Sequence, residues 1–183
     1  MKKNCLRYLA FLAMLIISLE QAYSQRSDFF FDAVASYKTN GYGVNANINY
    51  FRSTTDFFRT SLVFASSMEQ PVGGIEFPYE DYFVSLGYFT TVLTSPNRGF
   101  FIYFGGGPSL GYKHINDGEI DFPFDAVDAE SSFIYGGFAT FELDFFLSDT
   151  FSIIAPVTGF YHFNSDLNDT TLLVGAGLRY YLD

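Results

Sequence analysis

The residues best suited to chemistry are two carboxylates, Glu142 and Asp144, which stand two positions apart in the segment Phe133–Asp149. Paired carboxylates serve as general acid and base when their surroundings keep one protonated and the other ionised. On an extended strand the same spacing places both groups on one face, where neighbouring arginines keep both ionised. Arg59 and Arg179 are candidates for that role, so we favour a structural ion cluster and predict no catalytic residue.

Histidine offers a second candidate chemistry. His162 is followed by Asn164 and Ser165, and His114 opens a long acidic segment. A histidine that activates a serine is the arrangement of a hydrolase, so a lipid hydrolase in the membrane is one alternative function. The sequence places no carboxylate to orient His162, and a histidine without a catalytic role is the simpler interpretation.

The segment 114–131 is the longest predicted loop, and it contains six acidic residues: Asp117, Glu119, Asp121, Asp125, Asp128 and Glu130. No predicted helix flanks the segment, so the spacing does not fit a helix–loop–helix calcium site. We interpret it as a solvated acidic loop. Weak bridging of divalent cations to anionic lipid sugars, and surface binding or adhesion through this loop, are the alternatives. We predict no metal site and no cofactor.

The run Gly105-Gly106-Gly107-Pro108 superficially resembles a phosphate-binding loop. It lacks the Gly-Lys-Ser/Thr sequence and the following helix that such a loop requires. Glycine and proline inside an extended segment instead predict a bulge or a bend in a strand.

The elements that position the two carboxylates are predicted to be strands. In Phe133–Asp149 the odd positions up to Phe145 carry no charge, whereas Glu142 and Asp144 lie on the even face. A period of two indicates a strand, and about a dozen residues suit a tilted strand that crosses a bilayer. Carboxylates cannot face lipid, so the even side must be enclosed. A closed barrel with an apolar exterior and a polar lumen satisfies both faces.

Seven further segments show the same alternation, so the predicted strands are 31–38, 42–52, 57–66, 81–93, 100–113, 133–146, 151–163 and 170–182. The short connections 53–56, 94–99 and 147–150 alternate with longer ones at 67–80 and 114–131. In bacterial barrels the short turns lie in the periplasm and the longer loops lie outside. We therefore predict an all-β fold, a single up-and-down antiparallel β-barrel of about eight strands of outer-membrane type.

Five charged residues fall in the periplasmic third of the predicted lumen: Asp32, Arg59, Glu142, Asp144 and Arg179. A charge on the lipid face would cost about 2–4 kcal/mol near the midplane, and pairing inside the lumen avoids that cost. We predict a salt-bridged plug at this level. An eight-strand barrel has an interior that side chains fill, so a solute pore is not expected.

The first 24 residues are predicted to be a signal peptide. Three cations precede the apolar run 8–19, and Ala22-Tyr23-Ser24 is a small-x-small cleavage site. The apolar run is short for a membrane anchor, so we favour cleavage. Cys5 precedes the run and is therefore not a lipid-accepting cysteine, and cleavage leaves no thiol for a disulfide. Residues 25–183 then form one barrel domain.

The predicted mature chain is strongly acidic. Cleavage removes three cations and one carboxylate, which leaves seven Lys and Arg against nineteen Asp and Glu. Such a balance argues against nucleic acid as a direct partner. The expected location is the bacterial outer membrane, and the expected partner of the barrel's exterior is outer-membrane lipid.

Three short motifs occur in the second half of the chain, FIYGG at 133–137, LSDTF at 147–151 and GAGLR at 175–179. Together with Gly111-Tyr112 before the acidic loop and the overall length, they resemble the TraO family of conjugative transposons in Bacteroidetes. The resemblance covers chiefly residues 100–183. It implies a non-enzymatic envelope component of a DNA-transfer apparatus, with other proteins of that apparatus as partners. His162-Phe163 stands where a Trp-Gly is expected, which leaves a generic outer-membrane barrel as the alternative.

We expect the exported protein to begin at Gln25. The intact mass of protein extracted from the outer-membrane fraction should then correspond to residues 25–183. A lysine at either small position of the cleavage site, Ala22→Lys or Ser24→Lys, should leave the uncleaved precursor. A wild-type protein that retains residues 1–24 in that fraction would contradict the prediction.

Overall fold

A computed structural model describes residues 28–69, 77–115, 131–165 and 169–182. It contains eight strands: β1 Phe29–Lys38, β2 Gly41–Phe51, β3 Asp56–Glu69, β4 Phe77–Thr94, β5 Phe100–Ile115, β6 Ser132–Phe146, β7 Phe151–His162 and β8 Thr170–Tyr181. Each strand pairs antiparallel with its neighbours in the chain, and β8 pairs with β1 to close the barrel. The described ranges contain no helix long and apolar enough to cross a membrane. The predicted signal peptide, residues 1–24, lies outside the described residues.

The predicted fold class is confirmed, and the alternation in β6 has the predicted sense. Phe133, Tyr135 and Phe141 are exposed on the barrel's outer wall, whereas Glu142 and Asp144 are buried in the lumen. The other strands repeat this pattern, and Leu62 and Leu110, for example, are 59% and 66% exposed. Apolar surface on this scale is unfavourable in water and suits a hydrocarbon environment.

The barrel has two different ends. At one end, here called the turn end, the strands are joined by the short connections 52–55, 95–99 and 147–150. At the other, the loop end, the connections span 39–40, 70–76, 116–131 and 163–169. The two-residue turn at 39–40 has Asn40 at a φ of 55°, a left-handed conformation that asparagine tolerates better than most residues.

Two local predictions are wrong. Part of the predicted loop 67–80 is strand, because the β3–β4 ladder continues through Ser67↔Tyr79 and Met68↔Pro78. Composition alone suggested a loop there, but ladder pairing extends both strands.

The other error concerns the bulge at 105–108, one of the two predicted alternatives, a bulge or a bend, because no bulge occurs there. Ser85↔Ser109 and Tyr88↔Gly106 keep one register, and the shift lies instead in β4 between Thr91 and Leu93. The glycines serve close approach, since a Cβ on Gly107 would lie 2.0 Å from the carbonyl oxygen of Leu86.

A cation on the outer wall should destabilise the barrel. Leu62 lies near the middle of β3 and faces outward, so Leu62→Lys should cost about 2–4 kcal/mol of unfolding free energy in lipid vesicles. Denaturant-induced unfolding from vesicles measures this cost, and Leu62→Met is the matched apolar control. Equal stability of the two variants, or a monomer that stays soluble without detergent, would show that this wall does not face hydrocarbon.

Candidate functional site: an ion-paired lumen

Four strands position the five charged residues singled out from the sequence. Asp32 lies on β1, Arg59 on β3, Glu142 and Asp144 on β6, and Arg179 on β8. Each occupies an inward position of its strand, and each is at most 4% exposed. The structure brings all five together, and we call them the lumen charge cluster. Asp32 and Arg179 face each other across the β1–β8 seam, whereas Arg59 reaches across the lumen to β6.

The two arginines bridge all three carboxylates. Arg59 donates from Nη1 and Nη2 to the two oxygens of Glu142, at 2.8 and 3.0 Å, and from Nη2 to Asp32 at 3.1 Å. Arg179 donates from Nε to Asp32 at 2.7 Å, and from its terminal nitrogens to Glu142 and Asp144, both at 2.5 Å. Glu142 therefore accepts from both guanidiniums. Forked contacts of this kind are the strongest charge-assisted hydrogen bonds and fix orientation as well as energy.

Neutral side chains complete the cluster, whose three carboxylates outnumber its two guanidiniums. Asn49 accepts a hydrogen bond from Arg59 Nε at 2.7 Å and donates to Asp32 at 3.0 Å. The Tyr181 hydroxyl donates to Asp144 at 2.9 Å. Such donors compensate the carboxylates for the water that burial removes.

Seven aromatic side chains form a ring on the turn-end side of the charge cluster. Each ring centroid lies between 4.7 and 5.9 Å from the next around a closed circuit, which runs Phe30, Phe51, Phe57, Tyr103, Phe101, Phe146, Tyr181 and back to Phe30. We call this ring the aromatic floor. The guanidinium carbon of Arg179 lies 4.5 Å from the Phe30 ring, and that of Arg59 lies 5.2 Å from the Phe57 ring. The floor therefore closes the turn end and supports both arginines through cation–π contacts.

The floor was not anticipated from the sequence. Its signal is the same alternation, since Phe101 and Tyr103 already lie on the inward face of the predicted fifth strand. Phe57, the first residue of the predicted third strand, has the same inward position, and extending the predicted first strand by one residue places Phe30 inside as well. What the pattern could not supply is the contact between rings on strands that are not neighbours.

A second ionic group, also missed, lies at the loop end. Lys38 Nζ donates to Asp81 Oδ2 at 2.7 Å, and Lys113 Nζ lies 3.9 Å from Asp81 Oδ1. Both ammonium groups lie over the ring of Tyr79, at 4.2 and 5.2 Å from its centroid. We call Lys38, Asp81, Lys113 and Tyr79 the loop-end cluster. Each of its residues occupies an inward-facing position near the loop end of its strand. The alternation of inward and outward positions is therefore the sequence signal that could have predicted this cluster.

The candidate hydrolase residues do not assemble into a catalytic group. His162 is 1% exposed and stacks on Phe83 at 4.9 Å, and its ring nitrogens have no hydrogen-bond partner among the described residues. Asn164 bonds to the backbone of Phe133 and Tyr135, and Ser165 accepts a hydrogen bond from Lys113 at 2.8 Å. The serine and the histidine are thus engaged separately.

The acidic residues of 117–130 lie outside the described residues, so the loop-binding alternative stays a prediction. Within the described ranges, no group of three or more His, Cys, Asp or Glu side chains is placed to hold a metal ion.

The closed eight-strand barrel, with its apolar wall and ion-paired lumen, defines a β-barrel of outer-membrane type. Its fold is similar to that of Neisserial surface protein A, with a TM-score of 0.63, 14% identity, and coverage of 87% of this chain and 100% of that one. The N-terminal barrel of Pseudomonas aeruginosa OprF matches with a TM-score of 0.53 at 14% identity, over 86% of this chain and 100% of that one. A de novo designed transmembrane β-barrel matches with a TM-score of 0.50 at 13% identity, over 87% and 99%.

The sequence identifies a protein family, whereas the structural neighbours identify only the fold. The family model described as conjugative transposon protein TraO matches residues 19–182. The chain therefore belongs to the TraO family, as the motifs suggested, and the match also includes the N-terminal half that the motifs did not cover. No curated protein matches the sequence significantly.

Removing one charge from the lumen charge cluster should be far more costly than removing an exposed one. Glu142→Gln leaves two buried guanidiniums short of a carboxylate, and we expect a loss of about 3–5 kcal/mol of unfolding free energy. Asp169→Asn, at an exposed position near the loop end, is the control and should change stability by less than about 0.5 kcal/mol. Denaturant titration of the barrel in lipid vesicles measures both. Equal effects would mean that Glu142 is not held as the structure shows.

Proposed function

We propose that this protein is a non-enzymatic outer-membrane barrel and an envelope component of a conjugative DNA-transfer apparatus. The observation that carries the proposal is the match of the conjugative transposon family to residues 19–182. The fold supports the proposed location, because a closed barrel with an apolar outer wall is the β structure that a bilayer accepts.

The exterior supports an outer-membrane location in a second way. Aromatic side chains are exposed on the outer wall near both ends: Phe29, Tyr50 and Phe151 at the turn end, and Tyr37, Tyr42 and Tyr82 at the loop end. Aromatic belts at two levels mark the two interfaces of a bilayer with water. Outer-membrane lipid is the partner we assign to this surface.

The lumen supports an anchoring or docking role and not a conduit. The aromatic floor, the lumen charge cluster and the loop-end cluster occupy three successive levels of the interior. Three phenylalanines pack between the two ionic levels. The ring centroid of Phe160 lies 4.9 Å from that of Phe83 and 5.7 Å from that of Phe138. Neither DNA nor a solute passes through such an interior from one end to the other. The protein therefore acts through its ends, which we assign to contacts with other proteins of the apparatus.

The same geometry supports a role without catalysis. Glu142 and Asp144 lie buried against Arg179, and a paired, buried carboxylate has no access to a substrate. The strongly acidic composition of the chain further argues against direct contact with DNA.

Deletion of the gene tests the transfer role. We expect an in-frame deletion to lower the frequency of conjugative transfer, and expression of the full chain in trans to restore it. Restoration excludes polar effects on neighbouring genes. Leu62→Met serves as the control variant and should restore transfer fully, because it keeps the outer wall apolar.

The contrary outcome is equally clear. Unchanged transfer in the deletion strain, with the rest of the apparatus expressed normally, would remove the conjugation role and leave a generic outer-membrane barrel. A current through planar bilayers that contain the purified protein would contradict the closed lumen independently.

A further inference from the structure

Several buried polar atoms of the lumen have no hydrogen-bond partner among the described residues. On the loop-end side of the lumen charge cluster they are the side-chain oxygens of Asn45, Ser67, Ser85 and Ser109, Asp81 Oδ1, and both ring nitrogens of His162. Buried polar groups are otherwise nearly always paired, with protein or with ordered water. The concentration of unpaired atoms in this half of the lumen therefore points to solvent.

A cavity lies among them. It lies between the lumen charge cluster and the aromatic side chains above it, with Asn45, Arg59, Ser85 and Thr158 among its lining residues. The cavity volume of about 10 Å³ is room for about one water molecule. Two of the unpaired atoms, Asn45 Oδ1 and Ser85 Oγ, belong to the lining, so a water here has polar partners.

The strand register joins this cavity to the loop end. Ser85 pairs with Ser109, Ser109 with Gly136, and Gly136 with His162, so one row of inward positions crosses four strands. The imidazole of His162 stacks on Phe83, and two residues before Phe83 on the same strand is Asp81 of the loop-end cluster. Polar atoms without hydrogen-bond partners therefore occur at successive positions between the cavity and the loop-end cluster.

The two ends of the lumen differ in how firmly they are closed. At the loop end, the single carboxylate of Asp81 holds Lys38 at 2.7 Å and Lys113 only at 3.9 Å, and Lys113 also donates to Ser165 at 2.8 Å. At the turn end, five ion pairs between planar guanidiniums and carboxylates lie on the seven-membered aromatic floor. Lysine contacts are less geometrically constrained than arginine forks, so the loop end opens at lower free-energy cost.

We propose that the cavity lined by Asn45 and Ser85 is a buried water site that exchanges with solvent through the loop-end cluster and not through the aromatic floor. The lumen is then accessible to water from the loop end and closed at the turn end. Water-sized species reach Ser85 from the loop end when the Lys38–Asp81 contact opens, and they go no further than the lumen charge cluster.

Silver ion, a thiol-reactive cation small enough for a narrow path, tests this access. The parent is the full chain with Cys5→Ala and Ser85→Cys, so that its single thiol lies in the cavity wall. Asn97→Cys in place of Ser85→Cys provides an exposed thiol at the turn end. The thiol left after timed exposure of the folded barrel to Ag⁺ is titrated after unfolding. Heat-modifiable electrophoretic mobility confirms that each variant is folded.

Three changes are then added to the Ser85→Cys parent. Asp81→Asn leaves Lys38 and Lys113 without the carboxylate between them, and we expect it to raise the rate of silver modification by about tenfold or more. Lys38→Met removes the shorter contact of the loop-end cluster and should act in the same direction. Phe101→Leu removes one ring of the aromatic floor and should leave the rate unchanged.

These variants decide between the outcomes. The proposed route is supported if Asp81→Asn or Lys38→Met raises the rate of silver modification while Phe101→Leu leaves that rate unchanged. If Asp81→Asn fails to fold, Lys38→Met alone decides. Acceleration by Phe101→Leu, no acceleration by the loop-end variants, or a thiol that never reacts in the folded barrel overturns the proposal.

Discussion

The structure depends on one constraint, which is that a charge enclosed by an apolar barrel wall must be paired inside the barrel. Glu142 illustrates it. Its side chain is fully buried, and it accepts hydrogen bonds from Arg59 and from Arg179. Removing such ions from water costs several kcal/mol each, and only good geometry with additional hydrogen bonds offsets that cost. Asn49 and Tyr181 supply those bonds. The inward faces of β1, β3, β6 and β8 are shaped by this requirement, and the outer wall by the opposite requirement that an apolar surface carries no charge.

The aromatic floor follows from the same constraint. A guanidinium carries its charge in a plane, so its edge can meet carboxylates while its face lies on a ring. Arg59 and Arg179 use both surfaces, with carboxylates at their edges and Phe57 or Phe30 beneath. An ammonium at either position would lack the fork and the flat face. The loop-end cluster, built on Lys38 and Lys113, is correspondingly simpler and rests on a single carboxylate.

Much of this arrangement is encoded in single strands and could be predicted from them. The barrel follows from the alternation, and the sides taken by Glu142 and Arg179 follow from the cost of charges in hydrocarbon. The structure brings the five charged residues together as the sequence suggested, while their purely structural role stays a prediction. What could not be derived depends on contacts between strands. Strand ends around Ser67 are set by ladder pairing, the glycines at 105–107 by close approach of β4 and β6, and the aromatic floor by rings that meet across the lumen.

The charge cluster also explains why these strands pair in one register. Side chains alternate between two faces, so a slip of one residue would turn the inward charges of the strand that slips toward the outer wall. The seam between β1 and β8 is the pairing most distant along the chain, and it is where loop-closure entropy opposes the fold most strongly. Asp32 and Arg179 are register partners across that seam and are joined at 2.7 Å. Arg59 then links the same aspartate to β6 through Glu142. A slip of β8 at the seam would therefore break the ion pairs that Arg179 makes with carboxylates on β1 and β6, so the cluster that neutralises the lumen also selects the closure of the barrel.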